Sequence, residues 1–325
     1  MTKAALTVFR CPACHAGIEV EHPDDIDCGA CGLHVGATEG VIDFVPDEAR
    51  GPERTFYDEY YAQTPAVESL PTPSELASTW TDPGAPWEMQ RVWHRLADLR
   101  DRTVLLLGNG ESPAELHMLV EHPRMLIYSD LSPIGLRALR AHVDRREKVL
   151  FAAMDALDLP LRDESVDVVY GFAFVHHLPD LERFLAEVAR VLRPGGRCVF
   201  MDDAYSPLWQ RLKLVWLRPL MRLSHRREPR SPEDIRETLS GGLDEQRLTE
   251  AICRVGGRPW FERVAFFYYL WMRAAGVLLP ASVRRHRAHR LLARACVRVD
   301  RMLMRFSWGR RNLIRLVWGF DKPGG

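Results

Sequence analysis

The stretch that decides the fold is VLLLGNGESPAEL, residues 104–116. Four consecutive apolar residues run into Gly108-Asn109-Gly110 and then into a segment with helical spacing. This is the order of strand, turn and helix in a nucleotide-binding α/β unit. The dinucleotide fingerprint G-x-G-x-x-G would require glycine at position 113, where this chain has Pro113. Sites for NAD and FAD are therefore disfavoured.

The residues after the turn predict a helix that begins without a third glycine. Ser112-Pro113-Ala114-Glu115 is a capping box with proline at the first helical position, where no N–H is needed. Gly108 and Gly110 still allow the loop to run close under a small cofactor. The turn therefore suits a cofactor other than a dinucleotide.

The segment from about 103 to 203 alternates short apolar runs with amphipathic ones. Near-continuous apolar strands separated by such helices predict a parallel sheet covered on both faces. Ligands bind at the carboxyl ends of the strands in this architecture. The predicted strands and helices are TVLLLGNG, SPAELHMLVEH, RMLIYSDLS, PIGLRALRAHV, KVLFAAMDALD, SVDVVYGFAF, LERFLAEVARVLRPGG and RCVFMDD.

Two carboxylates follow the glycine turn at successive strand ends. Asp130 lies twenty residues beyond Gly110, where a carboxylate can accept hydrogen bonds from both ribose hydroxyls. Asp155 ends the next strand and is placed to accept from an adenine amino group. Together with the glycine turn, they predict a site for an adenosine with a free ribose.

In these four motifs, residues 100–205 resemble the class I S-adenosylmethionine-dependent methyltransferases. The motifs are VLLLGNGES, IYSDLSP, AAMDALDLPLRDESVDVVYGFAFVHHLPD and VLRPGGRCVFMDD. The resemblance implies a methyltransferase with a seven-stranded Rossmann-like sheet and S-adenosylmethionine as cofactor. Leu106 and Ser112 depart from the family, which often has an acidic residue and a glycine there. The resemblance places the cofactor on Gly108, Asn109, Gly110, Glu111, Asp130, Leu131, Asp155, Ala156 and Phe172.

Methyl transfer requires alignment of the acceptor and, for a hydroxyl or similar nucleophile, a base. The ends of the fourth and fifth strands face the methyl group, and the catalytic candidates there are His177, His176 and Asp202. An imidazole titrates near neutrality and can take a substrate proton. The alternatives are a histidine held structurally in the HHLPD turn and an aspartate that caps the following segment.

Four of the seven cysteines form two Cys-x-x-Cys pairs near the N-terminus, separated by thirteen residues. Four soft ligands on two tight turns predict a closed structural Zn²⁺ site in a reducing compartment, which favours a cytoplasmic protein. The predicted metal ligands are Cys11, Cys14, Cys28 and Cys31.

Charge and composition divide the rest of the chain. We expect a zinc ribbon over 1–46, a linker with two helices over 47–100, and a methyltransferase domain over 101–325 with insertions at about 204–240 and 272–311.

The net charge is zero, with 44 basic and 44 acidic residues, yet residues 284–325 hold 12 basic against 2 acidic ones. In the apolar run 264–280, the aromatic beginning predicts a strand and the remainder a helix.

The insertions are rich in Trp, Leu and Met, which favours a small-molecule or lipid-like acceptor. The basic helix 284–306 has arginines at spacings of three and four, and three interpretations stay open: packing on the body, contact with a membrane surface, or contact with nucleic acid. Nucleic acid is disfavoured because the body lacks a broad basic surface. The alternative functions are an rRNA or tRNA base methyltransferase and a degenerate fold used as a binding module.

Overall fold

The computed structural model describes residues 7–18, 25–45, 51–63, 87–96, 98–108, 116, 119, 122–140, 143, 148–212, 242–271 and 287–325. Its strands are β1 Asp25–Asp27, β2 His34–Thr38, β3 Val41–Asp43, β4 Thr103–Leu107, β5 Met125–Asp130, β6 Val149–Ala153, β7 Val166–Phe172, β8 Leu192–Asp203, β9 Arg258–Val264 and β10 Arg315–Asp321. Its α-helices are α1 Pro52–Gln63, α2 Trp87–Leu96, α3 Pro133–Arg140, α4 Leu181–Val191, α5 Pro207–Leu212, α6 Glu245–Arg254, α7 Arg287–Leu303 and α8 Ser307–Asn312. A 3₁₀ helix spans Val175–His177.

The strands form one sheet in the order β1-β2-β3-β6-β5-β4-β7-β8-β10-β9. The segment from β6 to β8 is parallel, and β10 lies antiparallel between β8 and β9. These seven strands are the predicted Rossmann-like sheet. The alternation of strand and helix between 103 and 203 is confirmed wherever the structure describes it.

Alternate residues of the strands enter two separate cores, one on each face of the sheet. In β4, Leu105 and Leu107 belong to the core that includes α4, whereas Val104 and Leu106 belong to the core that includes α2. All five residues of β4 are buried. Burial on both faces explains why the strands read as continuous apolar runs.

The N-terminal module, residues 7–45, adds the three strands β1, β2 and β3 to the sheet, which therefore has ten strands. β3 pairs in parallel with the outer edge of β6, with Val41 opposite Phe151 and Asp43 opposite Ala153. Phe9 and Ile18 are buried in the core that holds α4. The module thus shares the sheet and one core with the predicted methyltransferase domain.

The expectation of a strand at the start of 264–280 is wrong. β9 ends at Val264, and residues 267–271 are helical. The buried Asp300 carboxylate of α7 accepts hydrogen bonds from the N–H groups of Phe267 (2.9 Å) and Tyr268 (3.0 Å). A distant acidic residue therefore supplies the cap that starts this helix, and it overrides the β preference of the local aromatic sequence.

Within the described part of the chain, no helix has the length and apolar character needed to cross a bilayer.

Candidate functional site

The carboxyl ends of the parallel strands gather the predicted site residues at one edge of the sheet. Leu107 pairs with Ser129, and Asp130 pairs with Ala153, so β4, β5 and β6 end side by side. The Gly108 N–H continues this pairing by donating to the Ser129 carbonyl at 3.0 Å. This edge is where α/β proteins bind nucleotides.

Gly108 forms one side of a notch that only glycine permits. Its φ of +66° lies in the left-handed region, and a Cβ there would stand 2.3 Å from the Cγ of Phe174. A Cβ on Gly171, at the end of β7, would meet the same ring at 2.3 Å. Sequence reasoning missed Phe174, because nothing in its local pattern shows that its ring fills the space between two strand ends.

The remainder of the predicted glycine loop lies outside the described residues. This applies to Asn109, Gly110 and Glu111, and to the predicted capping box at 112–115. Of the two departures from the family, Leu106 is a fully buried core residue.

The two carboxylates predicted to bind adenosine lie at the end of β5 and two residues beyond the end of β6, in different environments. Asp130 is buried, with 7% of its surface exposed, and its Oδ1 accepts from the Ser132 N–H at 3.0 Å. Asp155 is exposed, and its Oδ1 accepts from the Leu157 N–H at 2.8 Å. Leu131 and Ala156 are half-buried beside them. This edge of the sheet is therefore more enclosed at Asp130 than at Asp155.

Asp202 is fully buried at the end of β8 and accepts three close hydrogen bonds. Its Oδ1 accepts from the Val175 N–H (3.0 Å) and lies 2.9 Å from Nδ1 of His176. Its Oδ2 accepts from the indole N–H of Trp318 in β10 (3.0 Å). Asp202 therefore begins the 3₁₀ helix Val175–His177 and holds the imidazole of His176.

The two histidines lie against each other, with ring centroids 4.0 Å apart. The His176 side chain is only 4% exposed, whereas His177 is half-buried. Because the Asp202 carboxylate can only accept, the contact with Nδ1 places the His176 proton there. The acceptor lone pair of the neutral ring is then on Nε2.

Beside this site, helix α5 of the first insertion packs against residues 266–270 and 304–314. Asp203 forms an ion pair with Arg315, whose guanidinium lies 5.5 Å from the ring centroid of Phe172 and 5.6 Å from that of Tyr269. Trp209 meets Tyr269 edge to face at 6.2 Å. The apolar cluster at this point comprises Phe266, Leu313, Ile314, Leu208, Trp209, Leu212, Tyr269, Leu270 and Met304.

At the other end of the chain, the four predicted metal ligands converge. All their sulfurs lie within 4.8 Å of one another, with Cys11 and Cys31 at 3.6 Å and Cys14 and Cys28 at 3.5 Å. Sulfurs placed ~2.3 Å from a tetrahedral Zn²⁺ are ~3.8 Å apart, so the cluster has the dimensions of a four-cysteine metal site.

Each cysteine pair sits on the same kind of turn. The N–H of the residue after the pair donates to the carbonyl of its first cysteine, at 3.0 Å for His15 and 2.8 Å for Gly32. Both residues have positive φ, 59° and 75°. Backbone N–H groups of Cys31 and Ala30 lower the pKa of the Cys28 thiol to about 6. His15 thus closes the turn of the first cysteine pair through its backbone, as Gly32 does in the second pair.

Comparison with known proteins agrees with this geometry. Residues 105–200 match the sequence profile of a methyltransferase domain family. A ubiquinone/menaquinone biosynthesis C-methyltransferase from Acidiphilium cryptum is 31% identical over 193 residues, which are 55% of this chain and 75% of that protein. The chain belongs to the class I S-adenosylmethionine-dependent methyltransferases.

Two further proteins are similar to the chain. A 27-O-demethylrifamycin SV methyltransferase from Amycolatopsis mediterranei is 46% identical over 140 residues, which are 39% of this chain and half of that protein. The structure of a geranyl diphosphate C-methyltransferase from Streptomyces coelicolor covers 84% of this chain and 99% of its own, with a TM-score of 0.51 and 13% identity. At that identity the structure supports the fold alone.

Proposed function

We propose that the protein transfers a methyl group from S-adenosylmethionine to a small-molecule acceptor of apolar, lipid-like character. The observation that carries the proposal is the position of Asp130 at the end of β5 and of Asp155 two residues beyond the end of β6, beside the Gly108 turn. Asp130 would accept from the ribose hydroxyls and Asp155 from the adenine amino group. Gly108, Asn109, Gly110, Glu111, Leu131, Ala156 and Phe172 would line the rest of the cofactor site.

Calorimetric titration with S-adenosylhomocysteine tests this assignment. Asp130→Ala and Asp155→Ala are expected to weaken binding about tenfold or more, because each removes a charged acceptor. Asp98→Asn is the matched control, since this exposed carboxylate pairs with Arg100 just before β4, at the opposite end of the strands. Unchanged affinity in both alanine variants would refute the assignment.

S-adenosylmethionine bound at this site would supply an activated methyl carbon, which would pass to an acceptor nucleophile while the electron pair of the broken carbon–sulfur bond stays on sulfur. For a protic acceptor, the remaining task is removal of one proton. We assign this task to Nε2 of His176, with Asp202 as the positioning residue that holds the ring, and to His177 if the acceptor approaches from the more exposed side. His176→Ala is expected to abolish turnover and leave S-adenosylhomocysteine affinity intact, whereas Glu250→Gln on α6 should change neither.

The apolar acceptor is supported by the apolar cluster beside Asp203 and Arg315, to which the two insertions contribute Leu208, Trp209, Leu212 and Met304. It is also supported by the relatives, whose names place them in quinone and rifamycin biosynthesis. Incubation of a cell extract with labelled methyl donor, followed by fractionation, should place the label in the lipid or small-molecule fraction. Label confined to RNA would overturn this choice of acceptor.

A membrane surface is the proposed place of lipid access. Helix α7 packs on the body through Ala293 and Val297 and leaves Leu291 and Met302 more than half exposed, with Phe306 and Trp308 exposed beyond its end. Arginines flank this outer apolar face at positions 294, 298 and 301. Apolar side chains beside arginines suit insertion at an interface with anionic headgroups.

Vesicle flotation of the full chain tests the membrane proposal. The protein is expected to bind vesicles that contain phosphatidylglycerol and to bind pure phosphatidylcholine vesicles only weakly. The double variant Leu291→Ser, Met302→Ser should lose this binding. Tyr60→Ser, another exposed apolar position, is the control. Dimerisation through α7 or salt-sensitive tRNA binding in place of vesicle binding would overturn the proposal.

The metal proposed for the four cysteines is Zn²⁺, bound by Cys11, Cys14, Cys28 and Cys31. The closed set leaves no ligand position for a substrate, so the role would be structural. Metal analysis is expected to find one Zn²⁺ per chain in the parent protein and in Cys253→Ser, and less in Cys28→Ser. Equal metal content in all three would refute this ligand set.

A further inference from the structure

We propose that Arg54 and Asp58, on a helix that precedes the methyltransferase domain, position the Asp130 carboxylate for the ribose of the methyl donor. This makes the N-terminal segment a working part of the cofactor site. The inference rests on the proposed role of Asp130 and adds positioning residues that lie outside the family motifs.

Arg54 is a buried cation held at the edge of the sheet. Only 2% of its surface is exposed, and its guanidinium binds both oxygens of Asp43 at 2.9 and 2.5 Å. It also donates to the Val45 carbonyl at 3.3 Å. Burial lowers the pKa of Arg54, but the carboxylates of Asp43 and Asp58 outweigh this effect and raise it overall. The charge is therefore kept and paired.

Asp43 fixes this cation relative to the sheet. It is the last residue of β3 and pairs with Ala153 at the end of β6, while its Oδ1 accepts from the Val45 N–H at 3.1 Å. The Phe44 N–H extends the pairing by donating to the Ala153 carbonyl at 3.0 Å. The strand that follows the four-cysteine module thus sets the position of Arg54 beside the carboxyl end of β6.

From Arg54, polar contacts continue to the cofactor carboxylate. Nε of Arg54 lies 3.6 Å from Oδ2 of Asp58, one helical turn further along α1. The Ser132 hydroxyl donates to Oδ1 of Asp58 in a short hydrogen bond, and the Ser132 N–H donates to Oδ1 of Asp130 at 3.0 Å. Ser132 itself is fully buried. Arg54, Asp58 and Ser132 therefore join Asp43 of β3 to the carboxylate of Asp130 at the end of β5.

Packing holds α1 at the distance that this chain of contacts requires. The ring of Tyr61 lies 3.2 Å from where a Cβ on Gly135 would stand, so α1 rests on α3 at a point without a side chain. Since α3 follows directly after Ser132, movement of α1 would disturb both the hydroxyl contact and the start of α3. Without Arg54, the carboxylates of Asp43 and Asp58 would share this region with no cation between them, which would drive α1 away.

The test separates ribose recognition from general stability. Calorimetric titration compares S-adenosylhomocysteine with its 2′,3′-dideoxy analogue, which lacks the hydroxyls that Asp130 would bind. The parent chain should prefer the natural ligand by about tenfold or more. Arg54→Gln, Asp58→Asn and Ser132→Ala should each reduce this preference severalfold and leave the affinity for the analogue unchanged. Arg54→Lys should restore part of it.

Glu59→Gln is the matched control, because Glu59 is an exposed acid on the same helix. Ser132→Ala keeps the Arg54–Asp43 pair intact, so the test holds even if Arg54→Gln fails to fold. An unchanged preference in Ser132→Ala and Asp58→Asn, or equal weakening toward both ligands, would overturn this inference alone. A parent chain that binds neither ligand would overturn the proposed function as well.

Discussion

Replacement of Asp202 by asparagine tests the hydrogen-bond network at the end of β8. The carboxylate is fully buried and accepts from the Val175 N–H, from His176 Nδ1 and from the Trp318 indole, all at 2.9–3.0 Å. An amide has one acceptor oxygen in place of two. Whichever way it turns, its NH₂ group faces a donor, so at least one buried donor is left unsatisfied. The cost of one such donor is about 1–3 kcal/mol, and loss of the charge weakens the remaining bonds.

We therefore expect Asp202→Asn to lower the free energy of unfolding by about 2–4 kcal/mol. With an m value of ~3 kcal/mol/M, this moves the urea midpoint by about 1 M. Asp98→Asn, at an exposed ion pair, should change the free energy of unfolding by ~1 kcal/mol or less. If the midpoint of Asp202→Asn coincides with that of Asp98→Asn, the network does not hold the carboxylate as described. In Asp202→Asn, turnover should fall further than the affinity for S-adenosylmethionine, because the carboxylate that fixes the His176 tautomer is gone.

Three other predictions follow from the described contacts. Gly108→Ala should lower the free energy of unfolding, measured in urea, by about 2–5 kcal/mol. About 1–2 kcal/mol comes from forcing alanine into the left-handed backbone conformation and ~1–3 kcal/mol from displacing the Phe174 ring. Gly324→Ala, where the new Cβ would lie in open space, should leave the free energy of unfolding unchanged. Burial raises the pKa of Asp300 above 3.8, so the contribution of this group to stability is complete below that pH and is lost as the pH rises through the raised pKa. The stability of the parent relative to Asp300→Asn should therefore fall from pH 3.5 to pH 7. A rise over this range would contradict the assignment. Chelation of the proposed Zn²⁺ should lower the melting temperature of the parent and of Cys253→Ser alike, and an unchanged value would show that the cysteine cluster contributes no metal-dependent stability.

The sequence predicted the parts of the molecule that depend on local pattern. The continuous apolar runs at β4, β5 and β7 predict a sheet that is covered on both faces. The two Cys-x-x-Cys pairs predict a metal site because their spacing and the neighbouring turn residues are local features of the sequence. The position of Asp130 at the end of β5 could be predicted because its distance from the glycine turn is a property of the chain alone.

The features that sequence reasoning missed depend on contacts between distant residues. Arg54 lies in a segment whose charges and tyrosines indicate an ordinary surface helix, and its burial follows only from the addition of β3 to β6. The Asp202 network needs Trp318, more than a hundred residues away, and the helix at 267–271 needs Asp300. The burial of Arg54, the Asp202 network and the start of the helix at 267–271 each depend on a residue more than ten positions away in the chain.

The placement of β10 between β8 and β9 has a consequence for biosynthesis. β8 leaves the ribosome about 120 residues before its neighbour is complete, which at ~5–20 residues per second is a wait of ~6–24 s. During that interval, one edge of β8, with its apolar run Cys198–Met201, has no native partner, a state in which nascent chains recruit chaperones or pair with one another. Slowing translation across 204–314 should therefore reduce the soluble yield of this protein, even though every residue of the finished molecule is unchanged.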